Sequence, residues 1–507
     1  MTSFARRLFS TTSIEAMRAA ASRSRLRRVL RARDLIAVGL GTMIGGGIFT
    51  TIGPGVSLAG PAIILAFVLA GLASFFAALC YAELGAMVPV AGSAYTYAYA
   101  TLGQLIAWII GFALLFEYGI SAAPVAQQFS SALQAALGNV GLVLPAWAQG
   151  SHFVFDPNAW WDVRRWDFAH SHYDLLGAAF VLVLSLLLSL GIRETATTNN
   201  IFVVLKISAL VVFVIFGVRL FHASNLVPFV PLGWGSLRPF SGGGGAGVIP
   251  AAALVFFSYI GFDTATTTAE ECRRPQRDIP LGVIGALAIG TVIYCTVAVV
   301  LVGDVPWRHV SQTAALAAAV APLHLPFVDW TITMGVLAGT TSVALASLLG
   351  QTRIFYVMSR DGMLPPFVSR VNARTRTPVL MTMLTGSFVA TLTLVVPLDN
   401  LLNLVNIGTL AAFIVVCAGV IYLRYKRPDL PRPFRSPFVP VFPAIGITLS
   451  LILIVFGLST LTLEWFLGAL GAGLVIYFSY GFRRSHPEQL ASEADLDEPA
   501  LVLPPIA

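Results

Sequence analysis

Charge is scarce in this sequence. Only 11% of the 507 residues are charged and 57% are hydrophobic, whereas about a quarter of the residues of an ordinary soluble domain are charged. From Leu35 to Ala82, 48 consecutive residues include no Asp, Glu, Lys or Arg. A helix needs about 20 apolar residues to cross the hydrocarbon core of a bilayer. The scarcity of charge therefore excludes a soluble globular protein and predicts an all-α polytopic membrane protein.

The long apolar runs are continuous rather than alternating, which excludes a membrane β-barrel. They predict twelve transmembrane helices within a membrane domain at 34–484, flanked by a basic amphipathic tail at 1–33 and a second tail at 485–507. The predicted spans are 35–58, 62–87, 95–127, 173–192, 196–221, 245–269, 279–302, 328–357, 378–397, 401–424, 438–461 and 465–482.

Motifs for cofactors, metals and hydrolysis are also missing. The sequence has no HExxH, no CxxC and no GxSxG, so it predicts no cofactor, no metal ion and no enzyme. The four cysteines have no paired spacing and are interpreted as small hydrophobic residues. A membrane enzyme would need an intramembrane cluster of His, Asp and Glu, which the apolar runs lack. A channel remains an alternative, and it would conduct without saturation.

The net charge of +7 is distributed unevenly along the chain. With the N-terminus inside, the predicted cytoplasmic segments carry 25 Lys and Arg residues and the outer segments only 5. This asymmetry predicts a protein of the cell membrane with both termini in the cytoplasm, and it excludes a nucleic-acid partner. The Arg- and Ser-rich first 33 residues also fit a mitochondrial transit peptide, although a tail lying on the anionic leaflet is the preferred interpretation.

Two halves of the sequence carry glycine interruptions at similar depths. Gly46 lies 12 residues after Asp34, where the first half (about 34–222) begins. Gly261 lies 14 residues after Gly247, near the start of the second half (about 245–424). Matching interruptions indicate a transporter site built from broken helices. Five spans per half require the second half to be inverted relative to the first. The sequence therefore predicts a 5+5 inverted repeat with helices 1 and 6 broken, followed by helices 11 and 12.

The stretch "GTMIGGGIFTTIGPG" contains three successive glycines, Gly45 to Gly47. Each glycine costs about 1 kcal/mol of helix propensity, and a helix-packing face does not require three in succession. Close helix packing nevertheless remains the alternative. An unwound segment would free amide groups for a carboxylate and carbonyl groups for an ammonium. This chemistry suits the zwitterionic head of an α-amino acid.

The second interruption lies in "FFSYIGFDTATTTAEECRRPQRDIP". Phe257 is predicted to close over the substrate, and the carbonyls of Ser258 and Ile260 to face its ammonium. Asp263 is either a buried acid or, as preferred, the N-cap of the resumed helix.

Two ionisable residues lie deep inside predicted spans. Lys206 is about ten residues into the fifth span, roughly 15 Å by helical rise, too deep to reach the surface easily. It is predicted to couple transport to protons or to replace a bound sodium ion, with permanent structural pairing as the alternative. Glu117 in the third span has three possible roles: an ionic partner of Lys206, an acid that faces the substrate, or a structural residue. Polar side chains in the eighth and tenth spans are predicted either to line the cavity or to form interhelical hydrogen bonds. They are Thr340, Thr341, Ser342, Asn403, Asn406 and Thr409.

Several long motifs together resemble the amino acid, polyamine and organocation (APC) transporter superfamily, in particular bacterial members of the cationic amino acid transporter family. They are "SIEAM", "GTMIGGGIF", "YAELGAMVPVAGSAYTYAYATLG", "GIRETATTNN", "YIGFDTATTTAEECRRPQRDIP" and "GQTRIFYVMSRDGMLP". The resemblance covers about 13–484. It implies alternating access around a central site, with Lys206 at the place where sodium-coupled relatives bind their ion.

The resemblance also implies the residues that bind substrate. They are Met43, Ile44, Gly45, Gly46, Gly47, Ile48, Phe257, Ser258, Tyr259, Ile260 and Gly261. The residues predicted to couple transport are Lys206, which the resemblance supports, and Glu117, which its depth in the third span suggests. Many relatives carry a small hydroxyl residue where this chain has Gly46, so a side-chain contact to the carboxylate is expected to be missing. The expected partners are an amino acid, either Arg/Lys or a small neutral one, together with protons and the lipid bilayer. Exchange of amino acids or polyamines is the alternative to proton-coupled, sodium-independent symport.

Overall fold

The part of the chain that the structure describes consists mainly of helices. The computed structural model describes residues 8, 30–88, 93–138, 141–154, 167–191, 196–236, 238–240, 245–267, 272–372, 375 and 377–484. We number the helices α1 (Ala32–Met43), α2 (Gly47–Ala59), α3 (Ile63–Met87), α4 (Ser93–Thr101), α5 (Gln104–Gly138), α6 (Leu175–Ser189), α7 (Ala196–Gly217), α8 (Val248–Val255), α9 (Thr264–Thr267), α10 (Pro275–Asp304), α11 (Ala315–Val320), α12 (Pro326–Arg360), α13 (Val379–Val395), α14 (Leu398–Lys426), α15 (Val441–Gly457), α16 (Thr460–Ile476) and α17 (Phe482–Arg484). Between α5 and α6, strands β1 (His152–Val154) and β2 (Asp167–His172) pair antiparallel.

The helices have the length and composition of a membrane protein. Within the described ranges, eight helical stretches are long and apolar enough to cross a bilayer, and three shorter helices, α6, α13 and α15, are also apolar. The longest single helices, α5 and α12, have 35 residues each. These segments follow the apolar runs of the sequence because the polar backbone of a segment in lipid must satisfy its own hydrogen bonds, which a helix does.

The predicted third span, 95–127, is wrong at both ends. The structure divides this region into α4 and the much longer α5, which begins at Gln104 and continues to Gly138. The amides of Leu102 and Gly103 both donate to the carbonyl of Ala98, at 2.9 and 3.1 Å. Gly103 has a φ of +100°, a conformation that glycine adopts readily and that ends a helix. The apolar pattern continues across this stop, which is why composition alone missed it.

The helices pack into two groups. In the first group, α10 lies along α1 and α3, and α8 packs against α2 and α3. In the second group, α12 lies along α5 and α7, α14 packs against α5, and α13 packs against α6. The two broken stretches, α1–α2 and α8–α9, both belong to the first group. Their unwound segments face helices of the second group, so the site described below lies between the two groups.

A buried cluster of charges joins α3 to the end of α14. Arg424 donates to both carboxyl oxygens of Glu83, at 2.9 and 2.8 Å, and the Ser436 amide donates to the same carboxylate at 2.7 Å. The guanidinium of Arg432 lies 3.4 Å from Glu83 and also donates to main-chain carbonyls at the end of α14, including that of Leu423. The Glu83 side chain is only 2% exposed. One carboxylate thus holds together α3, α14 and the segment that follows.

Glu83→Gln is expected to lower the thermal unfolding midpoint strongly in detergent. The change leaves two guanidinium groups beside a neutral side chain, and breaking a buried pair costs about 3–5 kcal/mol. Asp429→Asn is the matched control, because the Arg427–Asp429 pair is 50% and 65% exposed and exposed pairs contribute at most about 1 kcal/mol. Equal midpoints for the two variants would contradict this assignment.

Most of the two predicted tails, 1–33 and 485–507, lies outside the described residues. Where the description begins, Leu30 pairs with Cys272 in a short parallel bridge, and its carbonyl accepts the Arg273 amide at 2.9 Å. The start of the first broken helix is therefore tied to the chain just beyond the second.

Candidate functional site

The first helix break occurs at the three glycines. Helix α1 ends at Met43, Ile44 is extended, and Gly45 has a φ of +134°. Gly46 precedes the first residue of α2, Gly47. All of these residues are buried. The unwound segment is therefore three residues long and is enclosed by other helices.

Each of the three glycines has a different close neighbour. A Cβ atom on Gly45 would lie 2.6 Å from the Gly339 carbonyl oxygen of α12. On Gly46 it would lie 2.8 Å from methyl groups of both Val125 and Val343, and on Gly47 it would lie 2.6 Å from the Cα of Ser258. The triplet thus lets the backbone approach three elements at once, which accounts for three glycines where a single break would need one.

The amides of the first break are available to a ligand. The first amides of any helix lack an intrahelical acceptor, and here those of Gly45, Gly46 and Gly47 make no hydrogen bond to any part of the chain that the structure describes. They lie at the N-terminus of α2, a helix of 13 residues, where the helix dipole favours a negative charge. This end of α2 can bind a carboxylate.

The second break follows α8. A 3₁₀ turn covers Phe256–Tyr259, Ile260 is extended, and Gly261 has a φ of +113° before α9 begins. Asp263 lies directly before α9, at the position predicted for an N-cap. Phe257 is 4% exposed. The break predicted at Gly261 is present.

The polar groups of the second break differ in their availability. The Tyr259 hydroxyl donates to the Phe67 carbonyl at 2.7 Å, so the side chain is directed toward α3. The Ser258 carbonyl accepts from the Tyr294 hydroxyl at 2.9 Å. The Ile260 carbonyl accepts no hydrogen bond from the described residues. Of the two carbonyls predicted to face an ammonium, that of Ser258 already accepts one hydrogen bond, whereas that of Ile260 accepts none from the described residues.

The two broken helices run antiparallel and in contact. The Gly247 amide, just before α8, donates to Leu58 near the end of α2 at 2.7 Å, while Arg273 beyond α9 donates to Leu30 before α1. Between these ends the breaks meet, because Gly47 lies against Ser258 and a Cβ on Gly261 would be 2.9 Å from the Cβ of Thr42. Free amides from the buried first break and the free carbonyl of the half-buried Ile260 therefore belong to two breaks in direct contact.

Lys206 connects the second helix group to the first break. Its side chain is fully buried on α7, and its ammonium donates to the Gly41 carbonyl of α1 and to the Ser342 hydroxyl of α12, the latter at 3.2 Å. Gly41 lies in the last turn of α1, where carbonyl groups lose their helical partners. A cation at this position is favoured by the C-terminal end of the α1 dipole.

Glu117 lies on α5, and its side chain is 2% exposed. Its Cβ lies 3.9 Å from the position that a Cβ on Gly408 of α14 would occupy. Its Oε2 atom is buried and makes no hydrogen bond to the described residues. Glu117 thus lies at the contact between α5 and α14, and one of its carboxyl oxygens is available.

The polar residues of the eighth and tenth spans make different kinds of contact in the structure. Ser342 contacts Lys206 as described. Asn406 donates to the carbonyls of Ala253 and Leu254, at 2.7 and 3.2 Å, and so satisfies the end of α8. Its role is that of an interhelical hydrogen bond next to the second break.

Sequence reasoning missed three contributors to this region. Thr42 and Thr51 contact the second break, and Gly339 contacts Gly45. Their only signal is that they lie one turn from a predicted break or in the small-residue run "AGTTS" of the eighth span. Among the described residues, no group of His, Cys, Asp and Glu has the arrangement of a metal site.

The chain is similar in sequence to known amino acid permeases. The family model "Amino acid permease" matches residues 30–472. The chain is 40% identical over 486 residues to the branched-chain amino acid permease BcaP of Bacillus subtilis, covering 95% of this chain and 99% of that protein. It is 37% identical over 479 residues to the methylthioribose transporter of the same organism, covering 94% and 98%. It is also 36% identical over 410 residues to the vacuolar cationic amino acid transporter 4 of Arabidopsis thaliana, covering 80% and 64%. The chain belongs to the amino acid permease family of the APC superfamily, and it is a membrane transporter rather than an enzyme.

Proposed function

We propose that this permease carries amino acids across the cell membrane by alternating access, coupled to protons and independent of sodium. The observation that supports this best is the meeting of two antiparallel helix breaks, with free amides at Gly45 to Gly47 and a free carbonyl at Ile260. A carboxylate at the start of α2 and an ammonium at Ile260 would both be bound by backbone groups, without any side chain. Phe257 would cover the bound head group.

The proposed cycle follows from the two helix groups. The unwound segments belong to the first group, and their neighbours Val125, Gly339 and Val343 belong to the second. Rocking of one group against the other would open the buried site to each side in turn. Within this scheme the polypeptide has twelve spans in a 5+5 inverted arrangement, α1–α2 and α8–α9 each counting as one, and both termini are cytoplasmic.

Lys206 is the proposed coupling residue. Its ammonium bridges α1 of the first group and α12 of the second. Loss of its proton would weaken that bridge at the point where the groups must separate. An ammonium at this place also supplies a fixed positive charge, so no sodium ion is needed there.

The proposed substrates are neutral amino acids with aliphatic side chains. Two valines, Val125 and Val343, close over Gly46, and apolar walls of this kind suit an aliphatic side chain. The printed names of the relatives include both branched-chain and cationic transporters. The valine contacts favour branched-chain substrates over Arg and Lys.

Uptake by purified protein in proteoliposomes tests this function. An inward proton gradient is expected to drive saturable accumulation of labelled valine or leucine, unaffected by replacing sodium with choline. Counterflow with internal unlabelled amino acid but no gradient separates exchange from symport. Saturable uptake of no amino acid under any gradient would contradict the proposed function.

Val343→Ala is expected to change side-chain selectivity. Removing two methyl groups from an apolar wall is expected to lower the preference for valine over alanine by about tenfold, because a methylene in such a pocket is worth about 1–3 kcal/mol. Competition of unlabelled amino acids against labelled leucine measures the ratio. Val357→Ala, on the same helix and 14 residues away, is the control, and a selectivity change of the same size there would contradict the assignment.

A further inference from the structure

A hydroxyl pair joins the two broken helices on the side of the breaks where α1 and α9 lie, which we call the Leu30 side. Thr42 Oγ1 lies 2.8 Å from the Gly261 carbonyl and 3.0 Å from Thr264 Oγ1. The Thr264 hydroxyl donates to the same Gly261 carbonyl at 2.6 Å, and its amide does so at 3.1 Å. The Gly261 carbonyl therefore has three donor groups within hydrogen-bond distance and is not available to a substrate. It is the nearest of the three carbonyls around the Thr42 hydroxyl, since those of Val38 and Gly39 lie at 3.2 and 3.0 Å.

A second hydroxyl pair joins the same helices on the other side of the breaks. Thr51 Oγ1 of α2 lies 2.7 Å from Ser258 Oγ, and both residues are fully buried. Ser258 is fixed further by the hydrogen bond from Tyr294 to its carbonyl. We call the two contacts, Thr42–Gly261–Thr264 and Thr51–Ser258, the hydroxyl clasps.

Each clasp adjoins a glycine that permits it. The approach of Ser258 to α2 requires Gly47, where a Cβ would lie 2.6 Å from the Ser258 Cα, and the approach of Thr42 requires Gly261. The paired residues are between 207 and 222 positions apart in sequence. Glycine and hydroxyl thus act together, on both sides of the breaks, to join segments that belong to different halves of the chain.

We propose that Thr42 and Thr51 are positioning residues that fasten the two broken helices together on opposite sides of the substrate site. This inference rests on the proposed function, because it concerns how substrate ligands from two chain segments are kept in register. The amides that would bind the carboxylate come from the first break, and the carbonyl that would bind the ammonium comes from the second. Small relative shifts of such groups weaken binding and transport.

The clasps also assign the two breaks to a single moving unit. All clasp residues, Thr42, Thr51, Ser258, Gly261 and Thr264, lie within the first helix group. No clasp crosses to the second group, whereas the Lys206 ammonium does. The clasps therefore persist while the helix groups rock, and the contacts of Lys206 change.

Valine substitutions test the clasps because valine keeps the shape of threonine and removes the hydroxyl. Thr42→Val and Thr51→Val are each expected to raise the KM for the transported amino acid about three- to tenfold, with a smaller change in the maximal rate per folded transporter. Thr42→Ser is expected to restore the wild-type KM. Thr50→Val is the matched control: Thr50 is equally buried, adjacent to Thr51, and its hydroxyl has no hydrogen-bond partner in the described part of the chain.

A double-mutant cycle separates positioning from general destabilisation. Thr42→Val and Thr264→Val remove the same clasp, so their combined effect on KM is expected to be smaller than the product of the single effects. Unchanged KM in both Thr42→Val and Thr51→Val, or an equal rise in Thr50→Val, would overturn the proposal. A wild-type protein that transports no amino acid would instead contradict the proposed function. If Thr42→Val does not fold, Thr264→Val alone tests the Leu30-side clasp.

Discussion

Lys206→Met is expected to abolish the dependence of uptake on the proton gradient. The ammonium bridges the Gly41 carbonyl and the Ser342 hydroxyl, and methionine fills a similar volume without a charge or a proton to exchange. We expect uptake under an inward proton gradient to fall at least about tenfold and its variation between about pH 5 and pH 8 to disappear. Initial rates in proteoliposomes at fixed substrate concentration measure both effects.

The sequence supplies a close control for this experiment. Lys426 is the only other lysine of the chain, and it is exposed at the end of α14. Lys426→Met is expected to leave uptake and its pH profile unchanged. A Lys206→Met protein that transports with a wild-type pH profile would show that the lysine is structural, which was the alternative interpretation of the sequence.

Gly45→Ala is expected to abolish transport. Gly45 has a φ of +134°, a conformation that costs a non-glycine residue about 1–3 kcal/mol. The new methyl group would also lie 2.6 Å from the carbonyl oxygen of Gly339, so α1–α2 and α12 would have to move apart. Uptake per folded transporter and the unfolding midpoint are both expected to fall.

Two other glycines show whether the effect is specific. Gly46→Ala meets the methyl groups of Val125 and Val343, which can shift more easily than backbone, so its effect is expected to be smaller. Gly468→Ala in α16 meets no atom within 4 Å and is expected to be neutral, because alanine favours the helix over glycine. Transport by Gly45→Ala at the level of Gly468→Ala would contradict the assigned geometry.

The parts of the fold that could be predicted from sequence are those with a local cause. Apolar runs set the helices, and the cost of three successive glycines in a helix predicted the break at Gly45 to Gly47. The end of α4 was also visible in principle at Gly103, but the surrounding apolar pattern favoured an uninterrupted span. Depth within a span likewise predicted that Lys206 is buried.

The parts that could not be predicted depend on distant contacts. The sequence does not reveal that Gly45 meets Gly339 or that Thr42 meets Thr264, because such pairs are brought together only by packing. A threonine in an apolar span usually bonds its own helix, as Thr340 does with the Val336 carbonyl, and the Thr42 hydroxyl also lies near carbonyls of its own helix. Nor does the sequence distinguish the occupied Ser258 carbonyl from the free Ile260 carbonyl, since that difference is made by Tyr294.

Helix length varies widely around the protein. Helices α5 and α12, at 35 residues each, are about 52 Å long, well beyond a hydrocarbon core of about 30 Å. Helices α6 and α13, which pack together, have only 15 and 17 residues, or about 23 and 26 Å. A bilayer must therefore become thinner along the α6–α13 flank or draw polar groups inward. Hydrophobic mismatch on that flank makes acyl-chain length a variable to which this transporter should respond.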